Sequence, residues 1–295
     1  MRSNPYTTRQ RYRRAGGGGI NLRPKDLSTK GTILLMLASI SGLGLWFLTP
    51  LSDFIADAVL LFVPIESDVT LGREALLSLK RDSNLKPAYD AYGVEKAGWE
   101  LVTSSGATQA CPECIWDFGV VHADYMNAFA LPGGVIRVTD KLAAALTVPE
   151  LKALIGHEVG HVLNRHSQRR MIKQNMLKHI IGALLYEDND GYEESFGEAV
   201  GEMLLKGAQF LGEQGFSRKD EYEADEAGWK LLGEAQVDPR AMVSMLRKLW
   251  RASGDSGETR WESTHPGTRD RIDALEKKWE DMSRSEKRRY ERSWY

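Results

Sequence analysis

The chain predicts an α+β fold, mainly helical, in which a small β-hairpin edge lies beside one central helix and a single apolar span precedes both. Three observations predict it. Residues 147–163 carry apolar side chains at helical spacing around His157-Glu158-Val159-Gly160-His161. Residues 126–140 hold two short apolar runs separated by Pro and paired Gly, and residues 31–52 contain no charged residue. Composition agrees with one anchored domain: 42% hydrophobic residues suffice for a sizeable core, and a formal net charge of −2 argues against a polyanion-binding protein. No internal repeat is visible.

Residues 1–30 form a basic arm, in which Arg2, Arg9, Arg11, Arg13, Arg14, Arg23, Lys25 and Lys30 face only Asp26, and Gly16 to Gly19 make it flexible. Residues 31–52 read as a transmembrane helix, because Ile33, Leu34, Leu35, Met36, Leu37, Ile40, Leu43, Leu45, Trp46, Phe47 and Leu48 supply enough apolar length to cross a bilayer. A cleaved signal peptide fits less well, since the stretch starts late, runs long and lacks a clear small-residue cleavage site; a buried core helix is the other reading. After the span come Asp53, Asp57, Glu66 and Asp68 before the first base at Arg73. The positive-inside bias therefore keeps the N-terminus in the cytoplasm and sends the rest outward. In a bacterium that places a domain in the periplasm; the same Arg-rich, acid-poor start also fits a mitochondrial targeting segment, with the domain facing the intermembrane space.

Residues 53–70 read as an interfacial or linker segment, with Phe54 to Ile65 apolar but broken by Asp57 and Pro64. The folded domain is expected over residues 71–276. Within it Cys111 and Cys114 form a lone C-x-x-C, too few for a zinc ribbon; in an oxidising compartment they predict a local disulfide bracing the region around Trp116. The hairpin pairs Asn127 to Ala130 with Val135 to Thr139 across Leu131-Pro132-Gly133-Gly134. Thr147 and Glu150 then form a capping box with Pro149 in the first turn, and Leu151, Leu154, Ile155, Val159 and Val162 give the following helix its apolar contacts. Gly156 and Gly160 cost that helix about 1 kcal/mol each relative to Ala and mark close packing against another backbone. Residues 169–185 and 197–211 read as helical around an acidic segment, 186–196, which is either a lid or a solvated connection. A further helical pattern opens at Ser217, and residues 277–295 form a charged tail, an exposed helix or a loose end.

The chemistry is concentrated in the capped helix. At roughly 100° per residue His157 and His161 share a face and can share a zinc ion, with Glu158 beside them as candidate general base. The continuation that would supply a third histidine needs Gly at position 164 and His at position 167, where the chain has Asn164 and Ser167. Glu221 and Asp225, again four apart, can ligate and hold a histidine respectively; the competing reading is a solvated acidic face with Asp220, Glu223 and Glu226. His166, about 140° around the helix from His161, reads as a packing or hydrogen-bonding residue, and His122 and His179 as structural. His265 either reaches the cleft, to stabilise an oxyanion or occupy the open metal position, or caps the helix that follows; the cleft is favoured, with Arg271 supporting it by a charge-assisted hydrogen bond. The strand edge Asn127, Ala128, Phe129 and Ala130 is the candidate substrate-binding element, pairing with an extended peptide through the main chain; a plain structural hairpin is the alternative.

Taken together, HEVGH at 157–161, SRKDEYEAD at 217–225, NAFALPGG at 127–134, and Thr264-His265-Pro266 followed by Arg271-Ile272 resemble the M48 metallopeptidases over residues 64–275. The likeness is greatest to membrane-anchored Oma1-type and periplasmic members. It implies a zincin catalytic domain of gluzincin type, one zinc ion per chain on His157, His161 and Glu221, Glu158 as catalytic base and Asp225 behind the ligands. Cys111-Pro112-Glu113-Cys114 and the acidic stretch from Glu187 to Glu194 depart from the common pattern.

The leading functional reading is a membrane-anchored zinc-dependent endopeptidase that cleaves unfolded or misassembled polypeptides, its place in protein quality control implied by the resemblance alone. The alternative is a metal-stabilised chaperone or binding module for unfolded chains. Glu158 favours the peptidase, because a binder has no need of a base there. An exopeptidase would need an anchor for a substrate terminus, and none is legible. The expected partners are extended polypeptide and the membrane, not nucleic acid; homo-oligomerisation stays open.

Overall fold

Helix α1, Leu45–Leu60, carries the apolar pattern past Ser52, and after a turn α2 runs over Ile65–Asp82. The computed structural model describes residues 45–82, 85–174, 215–254 and 259–290. The basic arm, residues 31–44 of the expected span, His179 and the acidic segment 186–196 lie outside them. Among the described residues no helix is long and apolar enough to cross a membrane.

The sequence expected the domain to start at residue 71; the described residues from Asp53 on group into one compact unit, in which 53–70 is largely helical. Three of the four acids that signalled orientation pair with bases: Asp57 accepts from Arg169 at 2.7 Å, Asp68 pairs with Arg165 at 2.8 Å, and Asp53 pairs with Lys173. Ala56 packs on Ile172, and Leu71 and Ala75 pack with Leu131, Val135 and Met171. Phe54, Leu61 and Phe62 stay exposed.

A mixed sheet of four strands follows. Strand β1, Lys86–Ala88, leads to α3, Val94–Ser104, and the short α4, Ala107–Ala110, then to β2, Asp117–His122, β3, Ala128–Leu131, and β4, Val135–Thr139. The spatial order is β1-β2-β4-β3, with β2 and β4 parallel and the outer pairs antiparallel. The expected hairpin is therefore β3–β4, joined by a 3₁₀ turn at Pro132–Gly134. In that turn Gly133 has φ 73°, and a Cβ there would come within 2.4 Å of Val69 Cα, so only glycine lets α2 sit on the turn. Cys111 and Cys114 form a disulfide just ahead of Ile115, whose N–H donates to Gly133.

The remaining helices follow the sheet in the chain. These are α5, Asp140–Ala145, α6, Val148–Leu163, a helical stretch at 166–174, α7, Arg218–Glu234, α8, Arg240–Ser253, α9, Trp261–Thr264, α10, Thr268–Asp281, and α11, Arg284–Tyr290. Leu151, Leu154 and Ile155 of α6 bury into one cluster with Leu101, Ile136, Val138, Leu232, Met242 and Leu246. That burial, worth about 1.5–3 kcal/mol per large aliphatic side chain, makes α6 the central element. The tail expected to start at 277 is divided differently: α10 runs to Asp281, with Trp279 and Met282 packed on the core, and only α11 is without a buried residue.

Candidate metal centre and active site

Helix α6 starts where Thr147 and Glu150 cap it: the Thr147 N–H donates to Glu150 Oε2 at 2.8 Å. Glu150 also takes Ser244 Oγ at 2.6 Å and Lys248 Nζ at 2.6 Å, so the cap fixes α6 to α8 as well. Burial works to raise the Glu150 pKa, but Lys248, Ser244 and Thr147 hold it below the usual carboxylate range. Two turns later α6 crosses α7, whose own start is fixed by a capping box between Ser217 and Asp220. The crossing is close because Gly156 faces Gly228 and Gly160 faces Ala224. It brings His157 and His161 against Glu221 and Asp225.

His157 and His161 are fully buried, and their Nε2 atoms lie 3.1 Å apart. Glu221 spans both, with Oε2 3.5 Å from His157 Nε2 and Oε1 3.4 Å from His161 Nε2. His265 joins them: its ligating atom and theirs all lie within 4.8 Å of one another. The ring of His265 stacks on Trp261 at 3.9 Å, and its Nε2 lies 3.4 Å from Glu158 Oε1. Both oxygens of Glu158, Oε1 of Glu221 and Nε2 of His265 are buried without a hydrogen-bond partner. Nitrogen lone pairs and carboxylate oxygens converging in a dry pocket are the donor set of a zinc ion, and these unpartnered atoms fit one.

The groups behind the ligands set their tautomers. Asp225 Oδ1 accepts from His157 Nδ1 at 2.9 Å, which leaves Nε2 with a lone pair for the metal. Arg271, itself buried, holds Asp225 through two bonds of 2.6 and 2.7 Å and donates to Glu221 at 2.5 Å. It does not support His265, as the sequence suggested; His265 Nδ1 meets Thr264 Oγ1 at 2.8 Å. Burial works to raise the carboxyls of Glu221 and Asp225, but the Arg271 charge holds both below their ordinary values. Burial and Arg271 also oppose protonation of His157, yet Asp225 and Glu221 prevail and raise its pKa to about 9. His161 goes the other way, to about 3, driven by burial. A metal ion entering this site displaces the proton on His157.

His166 is the hydrogen-bonding residue the sequence expected, and one of its partners is a candidate ligand. The helical arithmetic put it off the ligand face, but α6 ends at Leu163 and Arg165 has φ 52°, a left-handed turn that swings His166 back. Its Nδ1 lies 2.8 Å from His161 Nδ1 and its Nε2 3.0 Å from Glu223 Oε2. His122, by contrast, pairs at the surface with Asp140 at 2.6 Å. The candidate substrate edge starts at Asn127, just ahead of β3, and continues along Ala128 to Ala130 on β3, an edge strand beside α6. Ala128 and Ala130 are buried, Phe129 packs on the cluster around Leu71, and Asn127 accepts from Thr264, so only the backbone edge is left to a peptide. Arg260 and Thr259 cover its beginning through Met126.

Residues 91–279 match the sequence profile of Peptidase family M48. The mitochondrial metalloendopeptidase OMA1 of Arabidopsis thaliana is 31% identical over 212 residues, 71% of this chain and 41% of that protein. Metalloprotease LoiP of Escherichia coli K12 is 31% identical over 140 residues, 45% of this chain and 51% of that one. A Protease HtpX homolog of Gemmatimonas aurantiaca is 27% identical over 191 residues, 53% of this chain and 67% of its own length. The chain spans less than half the length of the OMA1 relatives it matches.

Proposed function

This chain belongs to peptidase family M48, and from that premise we propose that it is a membrane-anchored zinc endopeptidase acting on unfolded or misassembled polypeptides. The observation that carries the reading is the convergence of buried His157, His161 and Glu221 beside a Glu158 carboxylate with no hydrogen-bond partner. His157, His161 and Glu221 would hold the ion, with Asp225 and Arg271 behind them. Zinc supplies a Lewis acid that acidifies water and polarises a carbonyl. Glu158 takes the proton from the attacking water and returns it to the leaving amine. Burial works to raise its pKa, but the imidazoles of His265, His157 and His161 hold it below the ordinary value, so it is ionised and ready to accept. The β3 edge would align an extended chain by main-chain pairing, which reads few side chains and excludes folded substrates. His265 belongs to the same group of donors, so with an ion held there it would close the site, and hydrolysis would need His265 to move aside for water. Residues 31–52 would anchor the protein with the domain on the outer side of the membrane, in a bacterial periplasm or a mitochondrial intermembrane space. A place in protein quality control is the biological role that the family resemblance of the motifs implies.

The test is internal cleavage of unfolded casein by the full chain in detergent micelles, with and without Glu158→Gln. The parent is expected to cut and the variant to lose about 10²–10⁴ in rate, both still holding zinc. A variant as active as the parent removes Glu158 from the chemistry. If neither cuts while zinc is bound and casein stays in solution, the binding-module reading takes over.

A further inference from the structure

Two groups of potential ligands exist among the described residues: the buried candidate metal centre, and buried His166 and Asp220 with half-buried Glu223. The second group already has its cation. Arg169 Nη1 donates to Asp220 Oδ1 at 3.1 Å and to Glu223 Oε2 at 3.0 Å, so a metal ion there would lie against a guanidinium. What the group does is set by the proton order along it. For His161 Nε2 to offer a lone pair to zinc, its Nδ1 must carry the hydrogen and donate it to His166 Nδ1. His166 then carries its own hydrogen on Nε2 and gives it to Glu223. One arrangement satisfies every atom: carboxylate, imidazole, imidazole, metal. His157 is oriented by a carboxylate directly; His161 is oriented by a carboxylate through a second imidazole.

The series does not stop at Glu223. Arg169 fixes Glu223 on one side and Asp57 of α1 on the other, at 2.7 Å through its Nε. The neighbouring contacts continue the same ladder: Lys173 pairs with Asp53, and Arg165 donates to the carbonyls of Leu60 and Val63 at 3.0 and 2.9 Å and pairs with Asp68. Bases at 165, 169 and 173, four apart, thus meet acids and carbonyls of α1 and the start of α2 running the opposite way.

We propose that His166 is the positioning residue of His161, and that Arg169 and Asp57 extend this support to α1, making its second half, from Asp53 on, part of the metal site's scaffold. The inference rests on the zinc-site reading above. It assigns a task to α1 that packing alone does not require: the candidate ligand is held in register by a residue 104 positions upstream of it, through three side chains.

The test measures zinc affinity of the full chain in detergent by competition with a chromogenic chelator, so it does not depend on proteolysis. His166→Phe keeps the ring volume and removes both nitrogens; it is expected to weaken zinc binding by about 10–100-fold. His166→Asn restores an acceptor near the Nδ1 position and is expected to recover part of that loss. Asp57→Ala is expected to weaken zinc binding severalfold, whereas Asp53→Ala, which removes the next rung and reaches Glu223 only by way of the exposed Lys219, keeps the parental affinity. Parental affinity in His166→Phe overturns the proposal, and equal effects of Asp57→Ala and Asp53→Ala overturn its extension to α1. If His166→Phe does not fold, His166→Asn and the surface variant Asp57→Ala decide the matter. A parent chain that binds no zinc overturns the underlying function as well, which separates the two failures.

Discussion

Placing one methyl group between the two ligand helices tests the logic of the site. A Cβ on Gly160 would lie 2.7 Å from Ala224 O and 3.0 Å from Ala224 Cα, whereas ordinary contact begins at 3.4 Å. Gly160→Ala therefore pushes α7 from α6 by about 0.7 Å, at a point less than one turn from Glu221. Zinc sites tolerate displacements of about 0.2 Å in ligand distance, so the variant is expected to lose zinc affinity outright. Gly156→Ala is the matched control, since its Cβ would meet Gly228 at 3.5 Å, an ordinary contact. Each alanine gains about 1 kcal/mol of helix propensity, and overpacking at residue 160 costs about 1–3 kcal/mol. The expectation is a metal-free Gly156→Ala that melts as high as the parent or higher, and a Gly160→Ala that melts at or below it. Thermal melts of the metal-free proteins and chelator competition read the two quantities separately. A Gly160→Ala chain that melts like Gly156→Ala and binds zinc like the parent would refute the argument that the helix crossing sets the ligand geometry.

Three other expectations follow from the same contacts. Arg271→Met leaves Asp225 and Glu221 buried without their cation and should cost about 3–5 kcal/mol in the metal-free protein, with zinc restoring part of it; equal losses with and without zinc would contradict the pairing with Glu221. Glu150 is held below its ordinary pKa, so its contribution is complete above about pH 4.3 and disappears as pH falls through the lowered folded value; the melting-temperature gap between the parent and Glu150→Gln should close in acid. His265→Ala should bind zinc more weakly than the parent and cut casein faster, because it frees the position that His265 holds among the ligands; slower cutting would make His265 a catalytic group and not a plug.

Where the sequence was readable, the signal was local. Thr147, Pro149 and Glu150 announce α6 to within a residue, Ser217 announces α7, and Pro132-Gly133-Gly134 announces the turn between β3 and β4. The pair Gly156 and Gly160 also pointed to a close crossing, which Gly228 and Ala224 supply. What escaped notice depends on distant partners. Strand β1 has only three residues, none fully buried, and exists because β2 pairs with it. Helix α1 belongs to the domain because Arg165, Arg169 and Lys173 lie across from its acids, about a hundred residues later in the chain. That His166 meets a candidate ligand was hidden by a single left-handed residue, since Arg165 breaks the helical count on which its position was judged. Arg271 was singled out for the wrong neighbour: a lone arginine on a helix gives no hint of which buried carboxylates it will meet.

The candidate ligands and their supports come from segments that are far apart in the chain: His157 and His161 on α6, Glu221 on α7, His265 just after α9, and Arg271 in the first turn of α10. A ribosome making this protein therefore releases both histidines long before the glutamate, and the arginine that steadies Asp225 and Glu221 last of all. Until α10 is in place the emerging polypeptide has the histidines of a protease and none of its fixed geometry. Hydrolytic power thus appears only after α10 has been made, when the helices that hold the site can all be in place.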